Sequence, residues 1–307
     1  MSWFSPKRSP SDPPVSAGAR RPLLNNRYHL GSRLGEGGGS QVFEADDLRA
    51  GHQVAIKLIQ LPADLPASQR QEWTTRLHRE AELARKLDHP DIVAVYEAGL
   101  QGQQAWLVME RIRGVDLSRY TQRHLLLPEN LVLRIGARVA AALAHAHAHG
   151  VVHRDLKPAN VLVNLATGVV KLADFGVARA DDAHLTRTGM TLGTPAYMAP
   201  EQLAGAPASA ATDTYALGVM LFELLAGRRP HQAATLGELL QATANQPPAA
   251  LASLRPDLPA PVVSAIEQLL ARKPADRPAR LDAWAASVAG LAAVMTRLLA
   301  PSASTAL

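Results

Sequence analysis

From Tyr28 onward the apolar residues come in short runs punctuated by glycine, YHLGSRLGEGGGSQVFEADD and then HQVAIKLIQL, which predicts strands. In VAIKLI, Val54, Ile56 and Leu58 point to one face and Ala55, Lys57 and Ile59 to the other. Lys57 thus has apolar neighbours on its own face, so its ammonium either snorkels to solvent or meets an anion. The period then lengthens. Ser68 to Gln71 reads as a capping box opening a helix that runs to about Leu87, with Trp73, Leu77, Ala84 and Leu87 on its apolar stripe. Glu80 falls on that stripe, where a carboxylate wants a buried cation, and Lys57 is the available one; Glu82, on the opposite side, reads as solvated. Two more strand-like runs, LDHPDIVAVYEAG and QAWLVME, lead into polar RIRGVDL, and 111–114 reads as a hinge between a β-rich part and a helical one. A helix is predicted from Asn130 to His149, with Leu131, Ile135, Val139 and Leu143 on one face and Gly150 placed to end it. VLV at 161–163 and VVKLA at 169–173 flank an Asn-Leu-Ala-Thr-Gly turn and read as a hairpin. The run 212–227 is apolar nearly all round, the mark of a fully buried helix, and 281–299 reads as an Ala-rich helix packed on the domain, followed by a short frayed tail.

Composition narrows the picture. A chain of 307 residues with 47% apolar content can bury a large core. The net charge of +5 is mild and sits partly in Lys7, Arg8, Arg20, Arg21 and Arg27, so no nucleic-acid partner is read from it. With no cysteine, disulfide and thiolate chemistry are excluded, which fits a cytoplasmic location. Residues 1–27, rich in Pro, Ser and Arg, read as a disordered, solvated basic tail without the apolar core of a signal peptide; Ser5 and Ser9, each before proline, are candidate phosphorylation sites in it. No run is long and apolar enough to predict a membrane span.

The candidate chemistry is concentrated at 151–176. The hairpin would bring Asn160, just before its first strand, beside Asp174, just after its second, giving two oxygen ligands of the kind magnesium accepts beside phosphates. Asp155 and Lys157 lie on the preceding loop. The glycines at 35, 37, 38 and 39 could let backbone N–H groups approach an anion. His145 and His149 have the i, i+4 spacing of a zinc pair, but lack a third ligand and read as part of a helix face.

Six motifs in order, GEGGGSQV at 35–42, VAIK at 54–57, Glu80, HRDLKPAN at 153–160, DFG at 174–176 and APE at 199–201, resemble those of the protein kinases, specifically the bacterial eukaryotic-like serine/threonine kinases. The resemblance covers roughly 28–281. It implies an α+β, bilobal protein-kinase-like fold: a small antiparallel β-sheet lobe with one key helix at 28–110, a hinge at 111–114 and a larger, mainly helical lobe at 115–281, with 282–307 as an Ala-rich helix and tail.

It also implies roles. Lys57, held by Glu80, would grip the α- and β-phosphates of ATP, Asn160 and Asp174 would hold Mg2+ (or Mn2+), Asp155 would accept the substrate hydroxyl proton, and Lys157 would neutralise the moving phosphoryl group. Leu34, Gly35, Glu36, Gly37, Gly38, Gly39, Ser40, Val42, Ala55, Met109, Glu110, Ile112, Asp116 and Leu162 would line the nucleotide, with Glu110 and Ile112 offering backbone hydrogen bonds. Thr194 would line the acceptor site. Arg154 before the catalytic Asp implies a switch by phosphate on the following loop, at Thr186, Thr188 or Thr191, and two copies could pair for trans-autophosphorylation. Asp213 would anchor the catalytic loop, and Arg277 would pair with Glu201. The implied activity is ATP- and Mg2+-dependent transfer to Ser or Thr of protein substrates; a catalytically weak pseudokinase of the same fold is the alternative. The third loop glycine is replaced by Ser40, and His231 stands where many relatives have Phe.

Overall fold

The computed structural model describes residues 23–37, 39–61, 66–175 and 195–299. These divide into two compact units, one within Met1–Leu117 and Val161–Ala183, the other within Ser118–Asn160 and His184–Leu307.

The first unit is built on an antiparallel sheet of six strands, β1 (Leu23–Leu24), β2 (Tyr28–Gly37), β3 (Ser40–Asp47), β4 (Gln53–Gln60), β5 (Val95–Gln101) and β6 (Gln104–Glu110), in the order β1-β2-β3-β4-β6-β5. Sheet and alternation agree: Val54, Ile56 and Leu58 of β4 join Tyr28, Ala45, Trp106 and Val108 in one core on one face. The helix α1 (Ala67–Arg85) buries Leu77, Ala81 and Ala84 against Ala105 and Leu107 on the other face.

Two sequence expectations are corrected here. The tail expected to be disordered to residue 27 is ordered from Leu23, because β1 pairs with β2, Leu24 is buried, and Arg27 is bonded to Asp47 and Glu97. The capping box at Ser68 is absent. Pro66 enters the helix instead, at φ −55° and ψ 148°, and its carbonyl accepts Arg70 N at 2.9 Å, so Ser68 already lies inside the first turn.

The same unit contains a three-stranded sheet, β7 (Val115–Asp116), β8 (Val161–Asn164) and β9 (Val169–Leu172), in which β8 and β9 are the expected hairpin. The expectation placed this hairpin in the helical lobe, whereas its partners lie in the sheet unit. Leu172 N donates to Asp91 O (2.8 Å) and Val93 N donates to Leu172 O (2.9 Å), while β8 pairs with β7.

The second unit is helical: α2 (Glu129–Ala148), α3 (Pro200–Leu203), α4 (Ala210–Ala226), α5 (Leu236–Asn245), α6 (Leu251–Leu254), α7 (Ala260–Leu269) and α8 (Leu281–Leu299). The helix α4 is buried almost throughout, as its all-round apolarity requires. Two glycines let its neighbours approach: a Cβ on Gly136 would lie 2.7 Å from Leu221 Cδ2, and one on Gly218 2.8 Å from Leu269 Cβ. Gly150, at φ +73°, follows α2 as expected. The helix α8 buries Leu281, Trp284, Val288 and Ala292, and Trp284 Nε1 donates to Ala265 O at 3.1 Å. Among the described residues no helix is long and apolar enough to cross a membrane.

Candidate active site

In the sheet unit, five of the residues expected around a nucleotide, Val42, Ala55, Met109, Ile112 and Leu162, form one apolar cluster with Val93 and Ala173, and Leu34 packs against it. The pairing of Ala55 with Met109 and of Val42 with Lys57 gathers Val42, Ala55 and Met109 from three neighbouring strands. Asp116, buried on β7, pairs with Leu162. Of the loop residues, Gly35, Glu36 and Gly37 end β2, and Glu36 is held by Arg33 at 2.5 Å. Ser40 is buried with its Oγ on Gly37 O at 3.1 Å, and Gly39 takes φ +79°, which its lack of a Cβ permits. Gly38 lies outside the described residues.

Lys57 is 7% exposed, and its Nζ lies 2.8 Å from Asp174 Oδ1. The anion anticipated for this lysine therefore includes an aspartate 117 residues away. Asp174 sits at φ +63°, a conformation that costs a non-glycine residue roughly 1–3 kcal/mol and persists only where the surroundings impose it. Glu80 is half-buried on α1.

In the helical unit, the loop after α2 folds around Asp155. Lys157 Nζ donates to Asp155 Oδ2 at 2.8 Å, Asn160 Nδ2 donates to Asp155 O at 2.8 Å, and Asn160 N donates to Lys157 O at 3.0 Å. The loop is hung from α4. Asp213, 1% exposed, accepts His153 N at 2.8 Å and Arg154 N at 2.9 Å, one on each carboxylate oxygen. Such charge-assisted bonds hold Arg154 at φ +68°. His147 Nε2 lies 2.8 Å from Asp213 Oδ2, a contact that the helix-face reading of His145 and His149 does not reach.

Arg277 is buried and uses all its donors. Its Nη1 and Nη2 meet Glu201 Oε1 and Oε2 at 2.5 and 2.8 Å, and its remaining N–H groups donate to the carbonyls of Ala211, Ala271 and Arg272. Tyr197 OH donates to Glu223 Oε2 at 2.5 Å. Burial pushes the Tyr197 hydroxyl far above its ordinary range and raises the Glu223 carboxyl, with the Tyr197 bond opposing the latter. Burial lowers His231. Thr186, Thr188, Thr191 and Thr194 lie outside the described residues.

Comparison with known proteins agrees with this arrangement. The model of the protein kinase domain matches residues 28–288. The serine/threonine-protein kinase PknA of Mycobacterium tuberculosis is 39% identical over 260 residues, covering 83% of this chain and 58% of that protein. PrkC of Bacillus subtilis, also a serine/threonine-protein kinase, is 38% identical over 208 residues, 67% of this chain and 31% of its own length. The chain thus spans well under two thirds of these relatives. Among solved structures, the Mycobacterium tuberculosis PknI kinase domain superposes with a TM-score of 0.69 at 30% identity, covering 89% of this chain and 98% of that one. The chain belongs to the protein kinase domain family and has its fold.

Proposed function

We propose that this chain is an ATP- and Mg2+-dependent protein serine/threonine kinase. The observation that carries the reading is the catalytic loop: Asp155, Lys157 and Asn160 are hydrogen-bonded to one another, and the loop backbone is fixed on buried Asp213. Phosphoryl transfer asks the protein mainly for positioning and charge neutralisation, so a loop held this way suits it. Asp155 accepts the proton of the acceptor hydroxyl, and Lys157, on the same carboxylate, supplies positive charge where the phosphoryl group passes. Lys57 grips the nucleotide phosphates, with Glu80 as its partner on α1.

The donors suit magnesium. Asn160 commits its NH2 to Asp155 O, which leaves its amide oxygen available to a cation, and Asp174 would supply a carboxylate; both are hard oxygen donors. The ion would supply positive charge that offsets the charge of the phosphates. The apolar cluster of Val42, Ala55, Met109 and Leu162 would enclose the adenine. The relatives named above act on Ser and Thr, and the same acceptors are proposed here.

One assay tests the assignment: ATP, Mg2+ and a generic protein acceptor, with Asp155→Asn as control. The variant should lose about 10²–10⁴-fold in rate, the usual weight of a general base. Equal incorporation by both proteins would sink the assignment. Autophosphorylation at Thr186, Thr188 or Thr191 follows from Arg154 beside Asp155, since a phosphate adds about −1.5 to −2 charges for an arginine to bind. Mass spectrometry of active protein should find phosphate within 184–194; its absence there would refute this part alone.

A further inference from the structure

Residues 91–94, which follow α1 by a few positions, are held from two sides. From β9, Leu172 N donates to Asp91 O (2.8 Å) and Val93 N donates to Leu172 O (2.9 Å). From the end of β6, Glu110 N donates to Ala94 O (2.9 Å), and Glu110 Oε2 accepts Ala94 N (3.2 Å). Lys171 closes the circuit. Its Nζ donates to Glu110 Oε2 at 2.7 Å and to Ile92 O at 3.1 Å. The two side chains are only 16% and 27% exposed, and 61 residues of chain separate them.

The polarity of this junction is matched to the backbone. The carboxylate faces an N–H and the ammonium faces a carbonyl, so the two charges could not be exchanged. Neither side chain has a part in the proposed chemistry, in which Glu110 acts only through its backbone. Yet each stands next to an end of the nucleotide site. Glu110, the last residue of β6, directly precedes the hinge at 111–114, and Lys171 is three residues before Asp174.

We propose that the Glu110–Lys171 pair is a positioning device that fixes the spacing between the hinge backbone and Asp174, so that the adenine and metal ends of one nucleotide are bound together. This rests on the nucleotide-binding reading above. A ligand gripped at two ends gains from the second contact only to the extent that the two grips are held at its own length. Without Lys171, Glu110 loses its cation, β9 keeps only backbone ties to 91–94, and the Glu110 carboxylate is held by Ala94 N alone. The spacing then widens its distribution, and two-ended ligands lose more than one-ended ones.

The test is calorimetric titration of the full chain with two probes, adenosine for the hinge end alone and ATP with Mg2+ for both ends. In Lys171→Met the Kd for MgATP should rise about 3–10-fold more than the Kd for adenosine, the range expected of a coupled pair. Lys171→Arg, which keeps a charged donor for both oxygens, should recover most of that difference. Glu110→Gln, isosteric and still an acceptor, should show the same differential at smaller size and serves if Lys171→Met does not fold. Equal losses for both probes, or none, in folded variants would overturn the positioning role while leaving the nucleotide site in place. A wild-type chain that binds adenosine and gains nothing from phosphates and Mg2+ would overturn the functional reading and this pair with it.

Discussion

Arg277 places five N–H donors on a carboxylate and three carbonyls inside the helical unit, with its guanidinium carbon 5.0 Å from the centre of the Tyr215 ring. Its removal leaves Glu201 without its cation and three carbonyls without their donor. Arg277→Ala should therefore cost about 3–5 kcal/mol, read as a fall in the denaturation midpoint, whereas turnover per folded molecule should change little. Arg277→Lys should recover only part, because an ammonium has three donors and no planar fork. An unaltered midpoint with lost activity would contradict a structural role. This pairing was anticipated from the family motifs, while other residues show how far the residue types alone could go. A lysine between apolar neighbours announced a partner at Lys57. The same signal stands at Lys171, which has Val169 and Ala173 on its own face, and was not used there. In both cases the residue types could say that an anion is needed but not which one, since Asp174 and Glu110 lie 117 and 61 residues away.

At the scale of elements, β1 is two residues long and depends on what surrounds it. Arg27 Nη2 and Nε bind Asp47, Nη1 binds Glu97, and Tyr28 OH donates to Glu97 at 2.6 Å, so the turn between β1 and β2 is tied to β3 and β5. The Arg27 guanidinium, helped by the N–H groups of Arg49 and Ala50, holds the Asp47 carboxyl well below the usual carboxylate range. A depressed acid stabilises the fold fully above its unfolded pKa of about 3.9 and loses that contribution as pH falls below it toward the native value. Urea midpoints measured from pH 7 to pH 2.5 should fall in the acid range. Asp47→Asn should be less stable at pH 7 and show a shallower acid loss; parallel curves for the two proteins would refute the linkage. The longer helices and most strands were legible from period and punctuation, as the end of α2 before Gly150 illustrates, whereas the shorter helices α3, α5, α6 and α7 were not read. The start of α1 was not, because Ser68 satisfies a capping pattern that Pro66 pre-empts two residues earlier.

For the molecule as a whole, the chain passes from one unit to the other after Leu117 and back again at Val161, so β8 and β9 depend on a core that the residues just before them do not build. Ligand binding should be visible as stability. At a concentration about 100 times its Kd, MgATP should add about 2.7 kcal/mol, a rise in melting temperature that Lys57→Met should largely abolish. A chain that melts at the same temperature with and without MgATP would argue against the nucleotide site. By itself the sequence determined the order and type of the main elements, the buried character of α4 and the residues proposed to carry the chemistry, because periodicity, turn chemistry and motif spacing are local properties. The tertiary structure alone decided that the β8–β9 hairpin belongs with the sheet, that His147 meets Asp213, and that Lys171 reaches Glu110 and Ile92. Those facts depend on which distant segments share a core, and no local pattern encodes the partner of a side chain.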